Sequence, residues 1–558
     1  MIGRLHLLVI AVCMVLPAIG LASSPMPIEY RQGVVVAVSE PGAAAGLKVM
    51  REGGNAVDAA VATALAMAVT HPAAGNIGGG GFMVVYPKDG KPTVFDYRET
   101  APAAATATMF AKGAATTGHR VVGVPGTLRG MELAHKKFGR LPWKEVVAPA
   151  VQLARDGFAL DAHHAKSLNS ILRSSRDFTE MVRIFSNPRG GDWSPGDRLV
   201  QPDLAKTLQL IADKGPDAFY NGPIADLLVA EMQRGNGLIT KDDLARFQAI
   251  ERAPIHGKYR GYDLYAPPPP CSGGICLMQM LGILEHYDLK KYDRFSPETL
   301  HLMIEAMRRT YCDRARYLGD PAFTKIPDFL ATKERCAMWA KDIDPAKATR
   351  SEVLANDIPL AGEGDSTTHF SVIDKDGMAV SNTYTLEQSY GSRVVVKGAG
   401  FLLNNEMIDF NWRPGITTKS GLIGTEPNLI APGKKMLSSQ TPTILAKDGK
   451  LVLVTGSPGG RTIINTVLSI VVNVIDYDMP VQLAVDAPRL HHQWFPDEFR
   501  FEGEKEHMRT VETLQKMGHR LAASNARQGD GHSIWINPRT GGYVGAADRR
   551  LSGFVAGY

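Results

Sequence analysis

The chain of 558 residues has little of several features that would assign a class at once. Beyond the first two dozen residues there is no long hydrophobic run, so no later segment is expected to span a membrane. Neither sign of charge is in large excess: 62 Lys and Arg stand against 57 Asp and Glu, a formal charge of +5. The basic residues are scattered rather than clustered, which excludes the electrostatic footprint of a nucleic-acid binder. Cysteine is scarce, with five in the whole chain. There is no internal repeat and no low-complexity tract, so a solenoid is excluded. Apolar residues make up 44% and charged residues 21%, the composition of a globular protein and not of a disordered one. This length calls for one very large domain or about two to three ordinary ones.

The N-terminus carries a pattern of its own. Arg4 precedes Leu5 to Leu16, apolar apart from His6, followed by Pro17 and a small-residue stretch with Gly20 and Ala22. A positive residue, a short apolar core and small residues at a cleavage site predict a signal peptide over residues 1–22. An uncleaved anchor is the alternative, but the run is short and broken by Pro17. Cys13 follows the bulky Val12, which does not suit a lipoprotein cleavage site. The mature protein is therefore expected to be exported, periplasmic or secreted, without stable membrane insertion. Cys271, Cys276, Cys312 and Cys336 would remain, and export allows them to pair in any of three connectivities. Cys271 and Cys276 stand four residues apart with no His-rich partner segment nearby, so a disulfide or plain buried thiols are expected rather than a metal site.

Gly33 to Val38 reads as a strand. Ser39 caps a helix to about Arg51, with Pro41 in its first turn. Asn55, with Asp58 three residues on, opens an Ala- and Val-rich helix to about Thr70 that is apolar nearly all round and should be buried. Gly78 to Gly81 lead into the strand Phe82 to Tyr86; a phosphate loop would need a Gly-Lys-Ser/Thr ending and a following helix. Lys88 to Lys91 turn the chain into a strand over Thr93 to Arg98. Residues from about 125 to 345 read as mainly helical, interrupted by Asn187 to Gly191 and by the rigid turn Pro267 to Pro270. From Thr367 onward three hairpins are expected: His369 to Asp374 with Met378 to Leu386, Thr443 to Ala446 with Leu451 to Thr455, and Ser533 to Asn537 with Tyr543 to Ala547. A long apolar helix, about Thr462 to Ile475, follows Gly459 and Gly460. Helices packed outside antiparallel sheets make a layered sandwich.

Gly364-Asp365-Ser366-Thr367-Thr368-His369 is a polar loop running into a strand. A cut before Thr367 would give a threonine with a free amine of pKa near ~8, and such a residue carries both nucleophile and base. Taken alone, a Thr pair at a strand start is equally the mark of ordinary strand propensity.

The stretch Thr367-Thr368-His369-Phe370-Ser371 to Gly377 resembles the start of the small subunit of gamma-glutamyltransferases, members of the N-terminal-nucleophile hydrolases. The similarity continues through Thr383-Tyr384-Thr385, Gly400 to Met407, Ser438-Ser439, Thr455 to Gly460 and His491 to Trp494. Upstream, Gly53 to Ala60, Gly78 to Phe82 and Asp96 to Glu99 resemble the large subunit. The resemblance implies an α+β fold, a four-layer αββα sandwich formed jointly by two subunits of one cleaved precursor. The pieces would be 23–366, the large subunit, and 367–558, the small catalytic subunit, held together as a heterodimer after autocatalytic cleavage at Ser366–Thr367. The implied donors are glutathione and other γ-glutamyl compounds. The acyl group would pass through an ester on Thr367 to water or to an amino acid or dipeptide acceptor, with no metal or organic cofactor. Two alternatives stand beside this: an acylase of the same fold acting on glutaryl-β-lactams or poly-γ-glutamate, and an unprocessed, inactive binding protein.

Roles follow position by position. Thr385 is expected opposite Thr367, where its hydroxyl orients the nucleophile. Gly459 and Gly460 precede a helix, where N–H groups favour negative charge, and by resemblance they form the oxyanion hole. A zwitterionic γ-glutamyl head needs a cation for its carboxylate, for which Arg98 is suited with help from Ser438 and Ser439, and anions for its ammonium, for which Glu406 and Asp409 are suited. Two departures stand out. Glu387 occupies a place where many family members carry Asn; it can serve the ammonium but would repel a nearby carboxylate. In a loop of about 412 to 433, Ser420 stands where some members carry a gating aromatic, which predicts a more open acceptor side.

Overall fold

The computed structural model describes residues 28–113, 115–354, 367–523 and 526–558. The predicted signal peptide, 1–22, and the predicted cleavage loop up to Ser366 lie outside the described residues.

Strand alternation builds the molecule. In Gly33–Ala37 the side chains of Val34 and Val36 enter one apolar cluster, while Val35 and Ala37 enter another on the opposite face. Gly80–Tyr86 repeats this period of two, with Phe82 and Val84 on one side and Met83 and Val85 on the other. A strand buried on both faces needs a layer on each side, and the structure supplies them. Seven antiparallel strands form one sheet in the order Phe554–Gly557, Gly33–Ala37, Thr368–Asp374, Ala379–Thr385, Gly80–Tyr86, Thr93–Asp96, Ile250–Arg252. Six antiparallel strands form the second in the order Tyr543–Ala547, His532–Ile536, Lys450–Thr455, Thr443–Lys447, Tyr262–Ala266, Ile255–Tyr259. Val34, Val36, Phe82, Val84 and Ile373 of the first sheet meet Ile444, Val454 and Ile534 of the second. Helices Glu40–Arg51, Ala56–Thr70 and Trp143–Asp156 cover the outer face of the first sheet. Helices Gly273–Leu284, Pro297–Tyr317 and Thr462–Ile475 cover that of the second. The result is the expected αββα sandwich. Both sheets combine strands from before residue 355 with strands from after residue 366.

The helix Ala56–Thr70 is buried along its whole length, and Asn55 with Asp58 closes a reciprocal capping box at its start. The reading of residues 125 to 345 as mainly helical needs a correction. Ile250–Arg252, Ile255–Tyr259 and Tyr262–Ala266 are strands; the first is the edge of one sheet, the second is the edge of the other, and the third lies just inside it. The two edge strands carry charged residues because an edge is open to water, and this masks their period. The strand Phe554–Gly557 at the end of the chain also escaped the sequence reading. Cys271, Cys276, Cys312 and Cys336 are all buried and form no disulfide with one another. Burial pushes Cys271 and Cys276 up to about 12 and Cys336 up to about 11, so they stay protonated and unreactive.

Candidate active site

Thr367 stands immediately before the strand Thr368–Asp374, and Thr385 closes the neighbouring strand Ala379–Thr385. Tyr384 pairs with Thr368, so the antiparallel register brings position 385 opposite position 367. Thr367 Oγ1 donates to Thr385 Oγ1 at 3.3 Å, and the Glu387 amide donates to the same oxygen at 2.7 Å. The expected facing of the two threonines is therefore present. His369, two residues along, is turned away: its ring nitrogens meet Thr383 Oγ1 at 2.8 Å and Ser371 Oγ at 3.1 Å. Burial holds it well below its ordinary pKa, and with both ring nitrogens engaged elsewhere it makes no contact with the Thr367 hydroxyl.

These residues open into a cleft of about 590 Å³, counted out to its mouth. Thr367, Thr385, Glu387 and Gly460 line it together with Arg98, Glu406, Asp409, Ser438 and Ser439. Nine of the ten expected site residues thus share one cavity; Gly459 stands just behind the wall. Gly459 and Gly460 have φ of +127° and +54°, and the helix Thr462–Ile475 starts two residues later. Their carbonyls accept from the Thr462 and Ile463 amides at 3.0 and 3.2 Å, while their own amides donate to no acceptor among the described residues. Free N–H groups at the start of a buried helix are suited to a developing negative charge.

At the other end of the cleft, Arg98 is 1% exposed. It pairs with Glu406 at 2.6 Å, with Asp409, and with Glu99 at 3.5 Å, while its Nε donates to the Met436 carbonyl at 3.2 Å. Its backbone is fixed by Asp96, which accepts the Arg98 amide at 3.0 Å and is itself held by Arg252 and Lys435, each at 2.8 Å. One cation thus faces three carboxylates. Burial pushes Glu406 well above the usual carboxylate range and Glu99 up to about 7. Sequence reading missed Glu99 as a site residue although it adjoins Arg98; its burial, not its type, gives it significance.

A linkage prediction follows. Folded Glu99 keeps a proton that the unfolded chain releases above its ordinary 4.5, so its carboxyl costs stability as pH rises from about 4.5 to 7. Glu99→Gln should therefore gain thermal stability relative to the parent across that window, read as a widening difference in Tm between pH 5 and pH 8. A constant difference would assign the proton elsewhere.

Ser438 Oγ accepts from the Gln440 amide at 3.1 Å, and Ser439 Oγ accepts from Arg314 at 2.9 Å. The loop of about 412 to 433 reaches the cleft through Ile423, Thr425 and Asn428. Ser420 is exposed, does not line the cleft, and its hydroxyl lies 2.6 Å from that of Thr418. His301, Glu305 and His519 bring three potential metal-ligand atoms together elsewhere, but their lone pairs are already used. Arg308 can only donate to His519 Nδ1, which makes His519 the donor to His301 Nδ1 and His301 the donor to the Asp344 carbonyl. Glu305 serves Arg308 and Arg309.

Comparison with known proteins agrees with this arrangement. The gamma-glutamyltranspeptidase family profile matches residues 42–558. The glutathione hydrolase proenzyme of Escherichia coli (strain K12) is 45% identical over 95% of this chain and 93% of its own length. Acylase ACY 1 proenzyme of Pseudomonas sp. (strain SE83) is 35% identical over 94% of each chain. Among solved structures, cephalosporin acylase from Bacillus halodurans superposes with a TM-score of 0.86 at 26% identity, covering 98% of this chain and 99% of that one. The sandwich is thus the N-terminal-nucleophile hydrolase fold, and the chain belongs to the gamma-glutamyltranspeptidase family.

Proposed function

We propose that this protein is an exported glutathione hydrolase and γ-glutamyltransferase that matures by cleaving its own Ser366–Thr367 bond. The observation that carries the reading is the shared cleft: the Thr367 hydroxyl, Gly460 at the helix start and the buried Arg98 with Glu406 and Asp409 line one cavity. In the proposed reaction the Arg98 end holds the amino-acid head of the donor, with its carboxylate on Arg98, Ser438 and Ser439. The excess of carboxylates, Glu406, Asp409 and Glu387, attracts its ammonium. Thr367 Oγ1 then attacks the γ-carbonyl carbon. Its hydroxyl proton passes to the α-amine of Thr367, and the oxygen charge rests on the Gly459 and Gly460 amides. The amine leaves with that proton, and the γ-glutamyl ester is resolved by water or by an acceptor amine.

Cleavage at residue 366 would not separate the pieces, because each sheet pairs strands from both sides of the cut, Gly33–Ala37 with Thr368–Asp374 and Tyr262–Ala266 with Thr443–Lys447. Among the described residues no helix is long and apolar enough to cross a membrane, and export would rest on residues 1–22. N-terminal sequencing of the mature large piece tests that boundary.

The donor class is tested with two chromogenic anilides. Faster turnover of the γ-glutamyl anilide than of the glutaryl anilide, and an acid-quenched 367–558 piece heavier by one glutamyl group, support the reading. The 35%-identical acylase keeps a second reading in view, and preferential glutaryl turnover would establish it. Because the carboxylate cluster has no purpose for a donor lacking an amine, the glutamyl outcome is expected. On the acceptor side, Ser420→Tyr should narrow the range of dipeptides accepted while leaving hydrolysis within about twofold. Identical acceptor profiles would show that position 420 does not border the acceptor path.

A further inference from the structure

Arg98 is already engaged: Glu99, Glu406 and Asp409 surround it, three carboxyl groups on one cation. A substrate carboxylate entering there would have to share that cation with them. Two further arginines, Arg314 and Arg461, line the cleft, and Arg314 is the one tied to the serines. Arg314, in the last turn of the helix Pro297–Tyr317, is 7% exposed and lines the same cavity. It pairs with no carboxylate among the described residues; the adjacent Asp313 is turned away to Gln279, Arg335 and Trp339. Its Nε donates to Ser272 Oγ at 2.9 Å, and Ser272 Oγ donates in turn to the Ser438 carbonyl at 2.6 Å. Its Nη2 donates to Ser439 Oγ at 2.9 Å. One buried cation therefore fixes both serines of the carboxylate end. Ser439 Oγ, having accepted from Arg314, donates to no protein group among the described residues, so its own proton is available to the cleft.

We propose that Arg314 is a positioning residue and a further cation of the α-carboxylate subsite, acting through Ser439 beside an Arg98 that three carboxyl groups already engage. The inference rests on the γ-glutamyl reading, and its recognition target is the α-carboxylate of the donor, not the carboxylate of an acceptor.

Three small competitors of the γ-glutamyl anilide separate the possibilities. Glutamate carries both α-groups, glutarate keeps the carboxylate without the amine, and 4-aminobutyrate keeps the amine without the α-carboxylate. Arg314→Gln should raise the anilide KM and the inhibition constants of glutamate and glutarate by about tenfold or more, the scale of one charge-assisted hydrogen bond. Inhibition by 4-aminobutyrate and kcat should stay within about threefold. Arg314→Lys should fall between, and Ser439→Ala should reproduce the selectivity, which keeps the test decisive if the Gln variant fails to mature. Equal weakening of all three competitors would reduce Arg314 to a structural role. Unchanged competitors with a raised KM for a dipeptide acceptor would move it to the acceptor side. Either result overturns the proposal while leaving the γ-glutamyl reading intact; a parent protein inactive on the anilide would sink both.

Discussion

Thr367→Ala should lower γ-glutamyl anilide turnover by about 10⁴- to 10⁶-fold, to the level of buffer, and leave the chain as one band on a denaturing gel. Both effects come from one oxygen. A methyl group at that position cannot attack the preceding carbonyl, so no new amine is formed, and it cannot attack a donor amide either. The loss should be one of kcat, since Arg98, Ser438 and Ser439, the proposed seat of the amino-acid head, are unchanged. Thr367→Ser keeps the hydroxyl and should recover both cleavage and turnover, more slowly, because Ser lacks the methyl that restricts χ1 and holds Oγ1 at 3.3 Å from Thr385. An alanine variant that still splits at the same bond would show that another protease makes the cut. An alanine variant that turns over donor would remove Thr367 from the chemistry altogether.

How much of this was legible beforehand depends on the physical signal each part leaves. Buried central strands such as Gly33–Ala37 and the long apolar helices announce themselves by hydrophobicity and caps. Asn55 with Asp58 marked the start of the helix Ala56–Thr70 to the residue. The edge strands Ile250–Arg252 and Ile255–Tyr259 left no such mark, because half of each faces water. Within the site, the Thr367–Thr385 facing followed from hairpin register, a local property. Arg98, Glu406 and Asp409 were brought to one substrate head by the resemblance alone; their direct pairing and the part of Glu99 left no local signal, because positions 98–99 and 406–409 lie about three hundred residues apart. Arg314 was invisible for the same reason, one arginine among several in a charged helix. Ser420, singled out by the resemblance, proved to stand outside the cleft wall.

Replacing Arg98 by glutamine should be the most damaging change outside the nucleophile, and its damage should depend on pH. Two of its three partners, Glu99 and Glu406, are fully buried, so removing the cation leaves carboxyl groups with neither water nor a counter-charge. Breaking a buried pair from one side costs about 3–5 kcal/mol, and part of that is avoided when the stranded carboxyls take up protons. Burial already holds both groups above their ordinary range, with Arg98 as the chief opposing influence; its loss raises them further. Folded Arg98→Gln therefore keeps the Glu99 proton above about 7, where the folded parent releases it. By linkage its stability deficit against the parent grows as pH rises and shrinks as pH falls. Melting the two proteins side by side should show a small gap near pH 5 and a wide one near pH 8. Buried histidines such as His369 add an opposite slope, but they are present in both proteins and cancel in the comparison. In kinetics at neutral pH the variant should lose about 10³-fold in kcat/KM, mostly through KM, since a buried charge pair with the donor carboxylate has been removed. A gap in Tm that stays constant with pH would mean that Glu99 and Glu406 are not the groups Arg98 neutralises, and the carboxylate end of the cleft would need another description.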